Sequence, residues 1–471
     1  MVARLVWDQE VVGSSPAGPT IWLIMPNLTN ISSDNKPCLN LDIINRIAEL
    51  NDDPEWMLER RLAALERFLL APNLSWGPSL AGLDLDLINF YSAAKGGNVE
   101  SWEEVPAEIR QTFTDLNLPE IEQRSLGGLG AQYDTATVYH NLRAELSEQG
   151  VVFLGMDEAL KKHEELVKQY FMTECVPVHD HRFTLLHAAV WRGGTFIYVP
   201  AGVKVTMPLQ AYFRMNAPAG GQFEHTLIIA EAGSEVHYIE ACSAPRYNQA
   251  SLHAGCVEII VKAGAKVKYS SIENWSQNTY NLNTKRAVVA EGGTIQWLNG
   301  NLGSGVTMLY PMSVLRGEGA SSDYLGVAVA GAGQVQDTGH KVAIVAPNCK
   351  ANVQSKSISF GGGEAVYRGL VKITAKGKGA KVGSVCDSLI LNTGGKARAI
   401  PVIDCESASA KIAHEAKVGC LEKSAFDYLA GRGFEEKSAQ SFLIQGFVSE
   451  ITDSLPFEYA LEFSKLLDLQ N

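Results

Sequence analysis

The chain has 471 residues, 46% of them hydrophobic, which is enough for a sizeable core and suggests more than one domain. Its net charge is −12 and its pI about 5.4, with no run of lysine or arginine, so nucleic acid is a poor first partner. No apolar run reaches the ~18 residues that span a bilayer.

Residues 1–24 carry Asp8 and Glu10 early, and the following run IWLIM is too short for the core of a signal peptide. This segment reads as upstream sequence in frame, with Met25 the expected start, and the chain is read as cytoplasmic. The eight cysteines are Cys38, Cys175, Cys242, Cys256, Cys349, Cys386, Cys405 and Cys420, with no CxxC among them. In a reducing compartment they are expected as thiols, a zinc ribbon is disfavoured, and each alone is expected to be a small buried apolar residue.

Residues 25–193 are expected to form a mainly helical N-terminal domain. Asp53 and Pro54 suit an N-cap and a first helical position. Leu58, Leu62, Leu65 and Leu69 then recur at helical spacing, with Trp56 packing nearby. Further helices are expected over 137–147 and 156–171. The sequence HDH ending at His181 is read as a solvated loop, not a metal site.

From Gly194 the pattern changes. Runs such as GTFIYVPAGVKV and CVEIIVKAGAKVKYS alternate, rich in β-branched residues and punctuated by glycine. No long helix is expected before Glu415. A turn-then-strand signature recurs at Gly233, Gly264, Gly292, Gly319, Lys350, Gly379 and Ser409, in steps of 31, 28, 27, 31, 29 and 30 residues. The copy at Gly319, GASS, lacks the apolar fourth position. Seven copies at near-constant period predict a β-solenoid over 194–415, its coils stacked ~4.8 Å apart. The open edges of its end coils need covering. Residues 416–471 are expected to be a C-terminal helical domain.

Stacking makes neighbours of residues about 30 apart. In KVGSVCDSLIL, Cys386 lies seven past Gly379, while His414 and Glu415 lie five and six past Ser409. A thiolate, an imidazole and a carboxylate near one rung would make a site for iron or zinc. The alternative is three unrelated side chains near the solenoid's end. Asp387 is expected on the opposite strand face from Cys386.

The run GTFIYVPAGVKVTMPLQAYFRMNAPAGGQFEHTLIIAEAGSEVHYIEACSAP resembles the B subunits of the Suf iron–sulfur cluster assembly scaffold, in the SufB/SufD family. So do DPEWMLERRL, NWSQNTYNLNTKRAVV, YRGLVKI, CDSLIL and AHEAKVG, in family order from about Leu41 to the C-terminus. The resemblance implies a right-handed parallel β-helix between helical domains. It implies a non-enzymatic scaffold that accepts persulfide sulfur and builds a transient [2Fe–2S] or [4Fe–4S] cluster for apo-proteins. Implied partners are a SufC-type ABC ATPase, a SufD-type paralogue or a second copy of the chain, a cysteine desulfurase and a sulfur-transfer protein, with reduced flavin in the assembled complex.

Carried over by residue, Cys386 is the implied holder of the nascent cluster, with Glu415 and the adjacent His414. The family's further glutamate is Ala413 here, which cannot ligate. Cys242 is the implied sulfur acceptor. Arg214, Asn216, Glu273, Trp275 and Lys285 are the implied sulfur route, although Glu273 replaces a glutamine and its charge opposes polysulfide transit. The cysteine-rich N-terminal motif of some members is absent. Cys405, between the two ligand candidates, is a secondary candidate.

Two other readings remain: a D-type structural paralogue, and a β-helix enzyme acting on polysaccharides. The thiol-centred constellation counts against the second. The sequence lacks GxxxxGK[ST], so ATP hydrolysis is expected from a partner. The C-terminal helices are expected to cover the solenoid edge and dock that ATPase.

Overall fold

The computed structural model describes residues 39–453 apart from 92–98, 100, 102, 108, 112–125, 218, 392–393 and 421–422. The expectations for residues 1–24, for Cys38 and for the last helix, from Pro456 onward, lie outside the described residues.

The chain is mainly β, a parallel solenoid of about eight turns with helical segments before and after it. One sheet has ten strands and ends at Lys381–Ile390 and Lys411–Cys420. The other has fourteen and begins as two separate faces. These merge where Val335–Thr338 and Lys341–Ile344 both pair with the single strand Glu364–Ile373, followed by Lys396–Cys405. Early turns are therefore three-sided and late turns two-sided.

Each turn enters the ten-stranded sheet through a tight corner. Gly233, Gly264, Gly292, Gly319, Asn348 and Gly379 all sit there with φ between 57 and 69°. That left-handed conformation suits glycine, and asparagine tolerates it. Two residues on, Glu235, Lys266, Thr294, Ser321, Lys350 and Lys381 stand in register, and Lys411 on the last strand continues the row. The signature read at Lys350 thus belongs at Asn348, and the flanking steps become 29 and 31 residues instead of 31 and 29. The interior carries an aromatic stack, Tyr238, Tyr269, Trp297 and Tyr324, one per rung. Ring centroids are 5.7 Å apart for the first pair and 5.3 Å for the second.

Several local expectations change. The helix expected over 137–147 is the strand Ala136–Leu142 followed by the five-residue helix Ala144–Glu148. The run VYHNL favours pleated structure, and it pairs antiparallel with Gly128–Tyr133, which joins the solenoid sheet beside Leu209–Arg214. Residues 156–171 form two helices, Met156–Lys162 and Glu164–Tyr170, broken at His163, whose ring stacks on Phe196. The helix Glu55–Leu70 forms as expected, but Pro54 is its N-cap. Asp53 is instead ion-paired with Arg61 at 2.6 Å, both side chains fully buried. The buried face is Met57, Arg61, Ala64, Leu65 and Phe68, while Leu69 is 54% exposed.

The N-terminal helices pack on the outer surface of the fourteen-stranded sheet, joining Leu186 and Phe171 to Leu227, Ile229 and Ile260. At the other end the strand Lys411–Cys420 runs past the expected boundary at 415. Helices Lys423–Ala430 and Glu436–Thr452 follow. The second folds back over the outer surface of the ten-stranded sheet. Its Ile444 and Val448 join Ile239, Ile272, Leu298, Val327 and Ile358, and Lys356 Nζ donates to Phe447 O at 2.8 Å. Among the described residues, then, these helices cover a face and not the edge. Val402, Ile403 and Val418 on the last strands stay 39%, 48% and 54% exposed. Among the described residues no helix is long and apolar enough to cross a membrane.

Candidate functional site

Alternation along a strand sends every second side chain to the interior. The corners fix which ones. Seven residues past them stand Glu240, Ser271, Asn299, Gly326, Ser355 and Cys386; nine past stand Cys242, Glu273, Asn301, Ala328, Ser357 and Ser388. The register stacks each set into a column, and both columns are buried on the same side as the aromatic stack. Side chains here are polar or small where an apolar core would be expected. Ser271 donates to Asn299 at 2.7 Å and Ser357 to Ser388 at 2.8 Å. Asn301 Oδ1 is buried without a hydrogen-bond partner. A polar lane therefore runs inside the solenoid, with Cys242 near one end and Cys386 at the other, five rungs or ~24 Å apart.

Cys242 sits in a buried network. Lys285 Nζ lies 2.6 Å from Glu273 and 3.5 Å from Glu240. Asn281 donates to Glu273, and His253 bonds Asn281 at 2.8 Å and also Glu224. Burial alone would lower the Lys285 ammonium, but Glu273 and Glu240 outweigh it and hold it protonated. Burial likewise opposes charge on Glu273, yet Lys285 and His253 hold its carboxyl below the usual range. Burial pushes Glu240 up. Burial, then Glu240, Glu273 and Glu224, push the Cys242 thiol well above its ordinary value. The charge that Glu273 adds in place of glutamine is thus answered by Lys285.

Trp275 belongs to the same interior cluster, its ring 4.3 Å from His253 and its Nε1 buried without a partner. Gly303 packs so tightly on it that an added Cβ would lie 1.8 Å from Trp275 O. Arg214 neighbours Ser243 across the rungs and donates to its hydroxyl at 2.8 Å. Half-buried Asn216 is held through its backbone, donating to Asp134 at 2.5 Å and accepting from Tyr247. The structure therefore gathers Cys242, Glu273, Trp275 and Lys285 in one cluster and sets Arg214 and Asn216 on the adjoining strand and its exit.

Cys386 is 2% exposed, and Asp387 projects to the other face, as its alternation predicts. Burial, then the Asp387 charge, push its thiol up to about 11. Its direct neighbour on the last strand is Ala416, whereas Ser384 faces His414 and Val385 faces Glu415. His414 therefore shares the face of Cys386, one alternation away, and its Nε2 is buried without a partner. Glu415 points to the opposite face, where it is exposed and ion-paired with Lys417 at 2.9 Å. So the structure brings His414 to the side of Cys386 and does not bring Glu415. Cys405 is exposed on the other sheet, beside Ile373. His181 is no part of a metal group: it caps the helix Arg182–Val190, and its Nε2 lies 3.1 Å from Thr284.

Sequence reasoning missed Glu240, Glu224, His253 and Asn281, and the lane itself. For Glu240 and the lane the signal was present: the seventh and ninth positions of the first six repeats are polar or small.

Two family models cover most of the described chain. One, for the SufBD core domain of the SUF system of FeS cluster assembly, matches residues 213–447; the other, for the SufBD protein N-terminal region, matches 127–211. Iron–sulfur cluster assembly SufBD family proteins of Staphylococcus saprophyticus and Staphylococcus haemolyticus are each 46% identical over 432 residues, covering 92% of this chain and 93% of theirs. A Staphylococcus aureus SufBD family protein matches to the same extent. The chain belongs to the SufBD family of iron–sulfur cluster assembly proteins.

Proposed function

We propose that this chain is a B-type scaffold subunit that takes up sulfur on Cys242 and builds a nascent iron–sulfur cluster at Cys386. The observation that carries this reading is that the two thiols lie near opposite ends of one buried polar lane. In the uptake step the Cys242 thiolate attacks the outer sulfur of a donor persulfide. A Cys242 persulfide forms and the donor leaves as a thiolate, with no net redox change. Conversion of that sulfur to sulfide takes two electrons from outside this chain. Reduced flavin in the assembled complex fits that role, and no residue of this chain is assigned to it.

Both thiols are held protonated in the isolated fold, so a thiolate needs the rungs to open or a partner to change their surroundings. An ATP-driven partner would supply that work. We assign its docking to the C-terminal helices, whose Tyr428 and Phe442 are exposed, with Phe434 exposed between them. The uncovered strands Lys396–Cys405 and Lys411–Cys420 suit a paralogue or a second copy, which would bring the ligands that Cys386 and His414 lack. The compartment proposed is the cytoplasm, where thiols persist. The cluster is cargo, built and passed on. One thiolate with nitrogen or oxygen ligands holds it less firmly than the usual four cysteines.

The test is anaerobic reconstitution of the full chain with iron and sulfide, read by visible absorption and Mössbauer spectroscopy. Cluster in wild type and its loss in Cys386→Ser supports the assignment; equal cluster in both overturns it. The outward-facing Glu415 favours a second reading, a D-type structural subunit. That reading gains if the wild type holds no cluster even with its partners present.

A further inference from the structure

Away from the lane, beneath the N-terminal helices, three ligand-type side chains converge. His187 comes from the helix Arg182–Val190, while His225 and Cys256 open adjacent strands and face each other in register. All three are at most 1% exposed, and their ligand atoms lie within 4.8 Å of one another. Donors around a tetrahedral zinc lie roughly 3.3–3.8 Å apart, so small rotamer shifts would close the group on an ion.

The hydrogen bonds orient the histidines for this. His187 Nδ1 lies 3.0 Å from Ala254 O. A carbonyl only accepts, so Nδ1 carries the proton and Nε2 presents a lone pair. In the metal-free fold that lone pair accepts from His225 Nδ1 at 3.1 Å, and an ion taking this place would move the His225 proton to Nε2, on the side of Glu258. On the far side of the second ring, His225 Nε2 lies 3.2 Å from Glu258 Oε2, yet off the line of a hydrogen bond, so it is buried without one. The Glu258 carboxylate is itself fixed by the backbone N–H groups of Met172 and Val176, at 2.6 and 2.8 Å. One histidine backed by a backbone carbonyl and the other by a carboxylate is the outer arrangement of metal-binding imidazoles. Phe171 and Trp191 wall the site, at 4.2 and 6.1 Å from the His225 ring.

We propose that His187 Nε2, His225 Nδ1 and Cys256 Sγ hold a structural zinc ion, with Glu258 behind His225 as its orienting carboxylate. One thiolate and one carboxylate offset the ion's two charges, which a dry site requires. Two imidazoles and a thiolate match the ligand preference of zinc. The ion would pin the helix Arg182–Val190 to the first solenoid rungs, independently of any cluster chemistry at Cys386.

The experiment is elemental analysis by mass spectrometry of full-length chain from zinc-supplemented cells, with circular dichroism to verify folding. One zinc per chain is expected in wild type and in Cys386→Ser, falling at least tenfold in His187→Asn and Cys256→Val. Folded wild type without zinc, zinc retained by both variants, or copper in its place would overturn the assignment. Should both variants misfold, chain from cobalt-supplemented medium decides. A thiolate-to-cobalt charge-transfer band supports the site, and cobalt-free or band-free wild type refutes it. Cluster reconstitution in Cys256→Val is expected to match wild type, so this proposal and the scaffold reading fail separately.

Discussion

Replacing Lys285 by methionine removes the ammonium that lies 2.6 Å from Glu273 and 3.5 Å from Glu240, with all three side chains buried. Removing one partner of a buried pair costs about 3–5 kcal/mol, because the other charge is stranded. Glu240, already pushed up by burial, can take a proton, so the cost falls mainly on Glu273. Amide exchange read by mass spectrometry over Glu235–Ser243, Lys266–Asn274 and Thr284–Val289 reports the local opening of these rungs. A cost of that size accelerates exchange roughly 100-fold to several thousand-fold. Adding Glu273→Gln to the same chain should restore most of the protection. The pH dependence has a definite sign. Glu273 is held below its usual range, so its share is present above the ordinary carboxylate value and is lost as pH falls through the lowered one. Lys285 is held above its usual range, so its share is complete below the ordinary ammonium value and is lost as pH rises through the raised one. The wild-type contribution of this network is therefore flat from roughly pH 5 to 10. Unchanged exchange in Lys285→Met, or no rescue by Glu273→Gln, would refute the reasoning.

Alkylation at pH 8 should label the exposed Cys405 and Cys420 first, with Cys386 slower by more than roughly 100-fold, because its thiol is pushed up to about 11; peptide mass spectrometry measures the order, and equal labelling contradicts it. Arg61→Met should loosen the N-terminal helices by about 3–5 kcal/mol, since Arg61 pairs with buried Asp53 and donates to Ala189 O and Trp191 O. Arg61→Lys should not restore them, because one ammonium cannot reproduce the guanidinium fork, and limited proteolysis near Glu55–Leu70 checks both variants. Asn348→Ala should cost about 1–2 kcal/mol for its left-handed φ of 57°, and Asn348→Gly much less. A common shift in thermal midpoint for the two would show that the corner is not the constraint.

The solenoid was legible because its period is written in residues that corners demand and strands prefer. The repeat mark slipped only at Lys350, where asparagine does the work glycine does elsewhere. That slip moves the seventh position from Ser355 to Ser357, one inward serine for another, so it leaves the polar pattern of the lane readable. The helix expected over 137–147 failed because VYHNL is short and its pairing partner, Gly128–Tyr133, decides its state. Cys386 was legible as interior by alternation. The split between His414 and Glu415 was readable from the same rule: adjacent residues on one strand face opposite sides. Glu224, His253 and Asn281 were not, since the ion pairs and hydrogen bonds around Cys242 join strands from different faces of a turn. The convergence of His187 on His225 needs a helix docked across the sheet, which no periodicity encodes.

The merging of two faces into one has a consequence for assembly. At the closing end, two ten-residue strands, Lys396–Cys405 and Lys411–Cys420, run without a corner and form two straight rims. At the opposite end the hairpin Gly128–Leu142 folds antiparallel onto the sheet, and backbone bridges from Asn89 and Val99 occupy Gly220 and Tyr139. Among the described residues, then, one end of the solenoid is covered and the other presents two strand edges. Among the described residues each copy offers one such pair of edges, so a partner seated there would close a pair where the open edge would otherwise seed a filament.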